Sequence, residues 1–171
     1  GTQDMSPFPK TQDPQAIVVV ERTYRAEVAD LWALWTTKDG FETWWGPEGF
    51  RVEVHALDAR TDGVLEYDMI ADAPEAIAAM KQMGQPLSHN TRGRYTEFKP
   101  TGRLVLVHDI DFVPNQDPYE SVIEVDFYPK GDEARMVVTL HPHRDPHWTK
   151  MSVQGFNSQL TKLDRKYGWT A

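Results

Sequence analysis

The chain has 171 residues, 40% of them hydrophobic and 26% charged, with 26 acidic against 18 basic side chains, a formal net charge of −8 and no cysteine. That charge repels phosphate backbones and anionic lipid with no Lys/Arg cluster to offset it, while the missing thiols exclude disulfides and thiolate catalysis and make a reducing cytoplasm the default compartment. No apolar run approaches the ~20 residues of a membrane-spanning helix, and a chain of this length buries roughly 70% of its unfolded surface, enough for one good core.

Residues 1–15 are polar and broken by Pro7, Pro9 and Pro14, which reads as a flexible arm without the basic-then-apolar pattern of a secretion signal. Residues 16–171 are left for a single domain. It opens with "AIVVVERTYR", residues 16–25, β-branched and flanked by turn formers, a first strand. Val28, Leu31, Trp32 and Trp35 then recur at i, i+3, i+4 and i+7, an apolar helical stripe, with Glu27 and Asp30 at the end where the helix dipole favours acids. Phe41, Trp44 and Trp45 repeat the spacing in a second short helix. "GPEG", residues 46–49, places Pro47 second and Gly49 fourth in a type I turn that takes the chain out of that helix at once.

Six alternating stretches follow, residues 50–58, 62–70, 90–99, 103–112, 119–128 and 133–141. The links "DARTDG", "KPTG" and "PKGDE" are of hairpin length, so the sheet is antiparallel and mostly a meander. Alternation turns Leu104, Leu106, His108, Ile110 and Phe112 inward, then Ser121, Ile123, Val125 and Phe127, then Met136, Val138 and Leu140. Arg103, Asp109, Asp111, Glu120, Glu124, Asp126 and Arg135 occupy the opposite, wet phase.

Between the second and third of these stretches lies a helical insert, residues 71–89, with Asp72 as N-cap, Pro74 in the first turn and Glu75 as the capping-box acid. Its small apolar surface includes Met80 and Met83. The last element runs from the cap pair Asp145 and Pro146 to Gly168, the longest helix, with Trp148, Met151, Phe156, Leu160, Leu163 and Tyr167 near one face. Gly155 falls on that face although glycine there costs about 1 kcal/mol relative to alanine, so space or a close backbone approach is wanted.

The stretches "VADLWALWTTKDGFETWWGPEGF" (residues 28–50), "RGRYTEFKPTGRLVLVHD" (92–109) and "GFNSQLTKLDRKY" (155–167) resemble the SRPBCC, or START-like, superfamily, and more closely the bacterial family of the activator of the 90-kDa heat-shock chaperone ATPase. The resemblance implies an α+β helix-grip fold, in which a curved antiparallel sheet of about seven strands wraps a long C-terminal helix around an apolar cavity. It also implies that of Trp44 and Trp45 one anchors the short helix in the core while the other points toward the cavity mouth.

His108 occupies an inward position, where burial favours neutral imidazole able to orient a ligand hydroxyl or carbonyl, or to act as a base if a carboxylate supports it. Tyr67, in phase with Leu65 and Met69, offers a hydroxyl from another strand. Gln159 and Ser152 lie beside Gly155 on the long helix. The expected ligand-contacting set is therefore Trp44, Trp45, Tyr67, Met69, Met80 and His108, with Ile110, Ile123, Phe127, Gly155, Phe156 and Gln159. "HPHRDPH" brings His141, His143 and His147 close in sequence, but no regular element aims them at one point, and no metal or other cofactor is expected. No phosphate loop, nucleophile elbow or HExxH pattern occurs. These readings point to a hydrophobic or aromatic small molecule as partner. A small-molecule enzyme using His108 and Tyr67, and a chaperone co-regulator, stand as the alternatives, with monomer and homodimer both open.

Overall fold

The computed structural model describes residues 16–111 and 116–170, so the expected arm and Phe112 lie outside the described residues. The elements in chain order are β1 (Val18–Tyr24), α1 (Val28–Thr36), α2 (Lys38–Glu42), β2 (Phe50–Leu57), β3 (Val64–Ala71) and α3 (Pro74–Gln82). They continue with β4 (Ser88–Lys99), β5 (Arg103–Ile110), β6 (Tyr119–Lys130), β7 (Glu133–Leu140), α4 (Pro146–Tyr167) and a two-residue β8 (Trp169–Thr170). One antiparallel sheet orders them β2-β3-β4-β5-β6-β7-β1-β8. Strands β2 to β7 form the meander that hairpin-length links require, and β1 closes on β7 with Val18 opposite Leu140 and Tyr24 opposite Ala134. This is the α+β helix-grip arrangement, with both short helices after β1 and the helical insert between β3 and β4.

The core forms where the alternating inner rows meet the helical stripes. Leu31, Trp32, Leu34 and Trp35 of α1 are buried against Leu104, Leu106, Phe127 and Met136 of the sheet. Trp35 is fully enclosed, and its indole N–H donates to the Met136 sulfur at 3.3 Å. At the start of α1 the Glu27 backbone N–H donates to the Asp30 carboxylate at 3.3 Å, and at the start of α4 Asp145 accepts from the His147 N–H at 2.7 Å. No helix among the described residues is long and apolar enough to cross a membrane.

Three local expectations are corrected. Helix α2 ends at Glu42, so both tryptophans sit in the exit turn rather than on a helical stripe. That turn is one residue later than expected: the Phe50 N–H bonds the Pro47 carbonyl at 2.9 Å, and Gly49, at φ +90°, occupies the third place of a type II turn. Asp72 is not the N-cap of α3. Ala73 holds that position, because the N–H groups of Asp72 and Ala73 both dock on the Gly49 carbonyl, at 2.8 and 3.0 Å. Helix α3 buries none of its side chains; where it approaches Gly49 it presents only the small Ala73 and Ala76.

Candidate functional site

A cavity of about 320 Å³ separates α4 from the inner face of the sheet. Its sheet wall follows the strand period of two: Tyr67 and Met69 from β3, His89 and Thr91 from β4, His108 and Ile110 from β5, Ser121 and Ile123 from β6, and Leu140 from β7. Its helix wall follows the helical period: Trp148, Met151, Ser152, Gly155, Phe156 and Gln159 stand at i, i+3, i+4, i+7, i+8 and i+11 of α4. Further along the same helix Leu160 and Leu163 pack into the core, so α4 is apolar filler in its second half and cavity wall in its first. A Cβ built on Gly155 would meet nothing within 4 Å. Of the two reasons for glycine there, space is the operative one.

Two hydrogen-bonded groups set the polarity of this wall. In the first, the Trp45 indole N–H donates to the Tyr67 hydroxyl at 2.9 Å, and that hydroxyl bonds His108 Nε2 at 3.0 Å. The indole can only donate, so the Tyr67 oxygen accepts from Trp45, while the donor between Tyr67 and His108 is set by the histidine tautomer. Burial, with a smaller contribution from His143, pushes the His108 imidazole down to about 4, and burial raises the Tyr67 phenol well above its ordinary range. In the second group, His143 bonds the Tyr119 hydroxyl through Nδ1 at 2.6 Å and the Ser121 hydroxyl through Nε2 at 3.3 Å. Thr149 fixes the His143 backbone by accepting its N–H at 2.8 Å, and burial lowers this imidazole too. Both rings are neutral at pH 7. None of the described lining residues is an Asp, Glu, Lys or Arg, so no carboxylate, ammonium or guanidinium among them faces the cavity.

Gln159 closes the end nearest the exit turn. It is 4% exposed, and its Oε1 accepts the Gly46 N–H at 2.9 Å, whereas its Nε2 is buried with no partner among the described residues. The same turn is fastened to α4 by further bonds. Ser158 accepts the Glu48 N–H at 2.9 Å, Thr161 donates to the Glu48 carboxylate at 2.7 Å, and Arg165 pairs with it at 2.6 Å. Lys162 donates to the carbonyls of Gly46 and Phe50 at 2.9 and 3.1 Å. Thr161 and Arg165 hold Glu48 below the usual carboxylate range.

A model of the family described as activator of Hsp90 ATPase homolog 1-like protein matches residues 25–167. The chain belongs to this family. Among solved structures it is similar to a protein from Chromobacterium violaceum, at 18% identity and TM-score 0.69, covering 89% of this chain and 97% of that one. An AHSA1 protein from Silicibacter pomeroyi is 21% identical with TM-score 0.68, covering 88% of this chain and 96% of its own. At these identities the likeness is one of fold. No curated protein matches the chain.

In this AHSA1-like chain the structure brings Trp45, Tyr67, Met69, His108, Ile110, Ile123, Gly155, Phe156 and Gln159 to the cavity, and leaves Trp44, Met80 and Phe127 away from it. Trp44 is fully enclosed beside Trp35, at 5.0 Å between rings, with its N–H on the Leu34 carbonyl at 2.9 Å. Phe127 packs edge-on against Trp32 at 5.4 Å, because the β6 row passes beneath α1 beyond Ile123. Met80 rides on α3, away from the space under α4. Ser152, noted with Gln159 beside Gly155, also lines the cavity, whereas Pro47, His89, Thr91, Ser121, Leu140, His143, Trp148 and Met151 were not among the expected contacts. Ser121 and Leu140 stood in inward rows, and extending the β4 alternation through Gly93 and Tyr95 reaches Thr91 and His89. His143 carried no such signal, since it sits in the link between β7 and α4. His141 instead pairs with Glu124, and among the described residues no cluster of three could hold a metal.

Proposed function

We propose that this protein binds a hydrophobic or aromatic small molecule between the sheet and α4, as a cytoplasmic carrier or sensor of that compound. The observation that carries the reading is the cavity of about 320 Å³, with no carboxylate, ammonium or guanidinium among its described lining residues, in a chain whose remaining core is closed by large rings. Ligand clefts generally run from about 300 to 1,000 Å³, mostly apolar with a few placed polar groups, and this one fits the lower end. Tightly packed interiors hold few voids of this size, so a glycine kept on the helix wall at a cost in helix stability supports a space selected for an occupant.

The test is titration of uncharged aromatic compounds into wild type and Gly155→Phe, followed by tryptophan fluorescence, for which Trp45 and Trp148 are the reporters in the wall. Saturable binding by wild type that disappears in Gly155→Phe is the expected result. Binding that survives the filled cavity would place the occupant elsewhere, and no saturable binding across the panel would sink the proposal.

The enzyme reading has less support, because a base at His108 needs a carboxylate behind it and none is among the described lining residues. The description of the family favours a second reading, a contact with a 90-kDa heat-shock chaperone. Stimulation of that chaperone's ATP turnover by purified protein would support it; no change at saturating protein would leave the small molecule as the partner.

A further inference from the structure

We infer that the occupant is an uncharged molecule bearing a carbonyl-type oxygen, and that the Gln159 side-chain amide recognises it. The inference rests on the small-molecule reading above and narrows it to a chemical class. Its first ground is the orientation of the amide. The Gly46 N–H can only donate, so the Gln159 oxygen must face it, at 2.9 Å; turning the amide over would set donor against donor. The NH₂ group is thereby committed to the other side, where it is buried and meets no acceptor among the described residues. Buried donors of this kind ordinarily have a partner, and an unmet one calls for an acceptor from outside the chain.

The second ground is position. Side chains on a helix lean toward its N-terminus, so Gln159 leans over the turn that holds Gly155, four residues earlier. That is where a side chain is missing and nothing stands within 4 Å of a Cβ. An oxygen on the occupant at this end lies beside the only part of the helix wall that lacks a side chain.

The third ground is charge. An ionised carboxylate or ammonium placed in this space would find no Lys, Arg, Asp or Glu among the described lining residues, and burying a charge unpaired is costly. Three imidazoles line it, His89 from β4, His108 from β5 and His143 from the link before α4, and the last two are already bonded to Tyr67, Tyr119 and Ser121. A neutral carbonyl needs only the donor that Gln159 offers.

Benzophenone and diphenylmethane, which differ by a carbonyl in place of a methylene, are suitable probes, with 4-benzoylbenzoate as the charged comparison. Affinities for wild type and Gln159→Met are measured by calorimetry. One hydrogen bond corresponds to about a tenfold change in affinity. Gln159→Met is expected to weaken benzophenone about tenfold while leaving diphenylmethane within about twofold, and the retained diphenylmethane affinity shows that the variant's cavity is intact. Equal losses on both probes, or none, would overturn the role of Gln159, as would 4-benzoylbenzoate binding wild type as tightly as benzophenone. Should Gln159→Met not fold, the carbonyl stretch of benzophenone bound to wild type decides: a shift to lower wavenumber than in hexane supports the donor, and no shift refutes it. If wild type binds neither neutral probe, the small-molecule reading itself fails.

Discussion

The buried histidine makes a quantitative prediction about acid stability. In the unfolded chain His108 titrates near its ordinary 6.5, whereas burial holds the folded imidazole at about 4. A base whose folded value is depressed contributes stability that is complete above 6.5 and is lost as the pH falls toward the folded value. Each pH unit between the two costs about 1.4 kcal/mol, so His108 alone removes about 2 kcal/mol between pH 6.5 and 5 and about 3 kcal/mol by pH 4. The titratable groups that share its cavity are Tyr67 from β3, His89 from β4 and His143 from the link before α4. Burial also lowers His143, which adds a loss of the same sign. His55, raised by Asp68, acts the other way, contributing stability below its folded value and losing it as the pH rises above. Substituting His108→Gln removes the titration while its side-chain amide can still bond the Tyr67 hydroxyl. Urea unfolding of both proteins at pH 7 and pH 5 separates this one group from the rest. Wild type should lose about 2 kcal/mol more than the variant over that interval. Equal losses in the two proteins would show that His108 titrates normally and that the cavity wall is not the low-dielectric surface described here.

Three further substitutions test the packing. Gly155→Ala should raise stability by about 1 kcal/mol, since the helix gains and the new methyl meets only open space; a lower melting temperature would refute the openness of that wall. Gly63→Ala should destabilise by about 2 kcal/mol or more, because its Cβ would stand 1.8 Å from the Asp58 carbonyl oxygen, and an unchanged urea midpoint would contradict the geometry of the β2–β3 turn. Tyr67→Phe strips the partner from both Trp45 Nε1 and His108 Nε2, at about 1–3 kcal/mol for each buried group left unpaired; a cost below about 1 kcal/mol would mean that the relay is not formed in solution.

What the sequence conveyed well was periodic. The inward rows on β5, β6 and β7 and the stripe on α4 repeat at the spacing of their elements, and each repeat names a face without reference to any other part of the chain. Gly155 was legible for the same reason, as a gap in a stripe. The choice between Trp44 and Trp45 was not, because α2 ends two residues before them and their directions come from the turn that follows. Nor was the His143–Ser121 pairing, which depends on how a five-residue link between β7 and α4 folds back over the neighbouring strand. The start of α3 misled because Asp72 and Pro74 form a plausible cap pair locally, while the position is fixed from outside by the Gly49 carbonyl.

The attachment of the exit turn to α4 has a mechanical consequence. Ser158, Gln159, Thr161, Lys162 and Arg165 hold residues 46–50 from two successive helical turns, through two carbonyls, two N–H groups and one carboxylate. Separating the turn from the helix would break all of these together, so the two travel as one body and that end of the cavity is shut like a riveted seam. At the opposite end, where α4 begins, Met151 is half in solvent. There the helix is tethered to the preceding link through Thr149 and Asp145, so its two ends differ in how firmly the backbone around them is held.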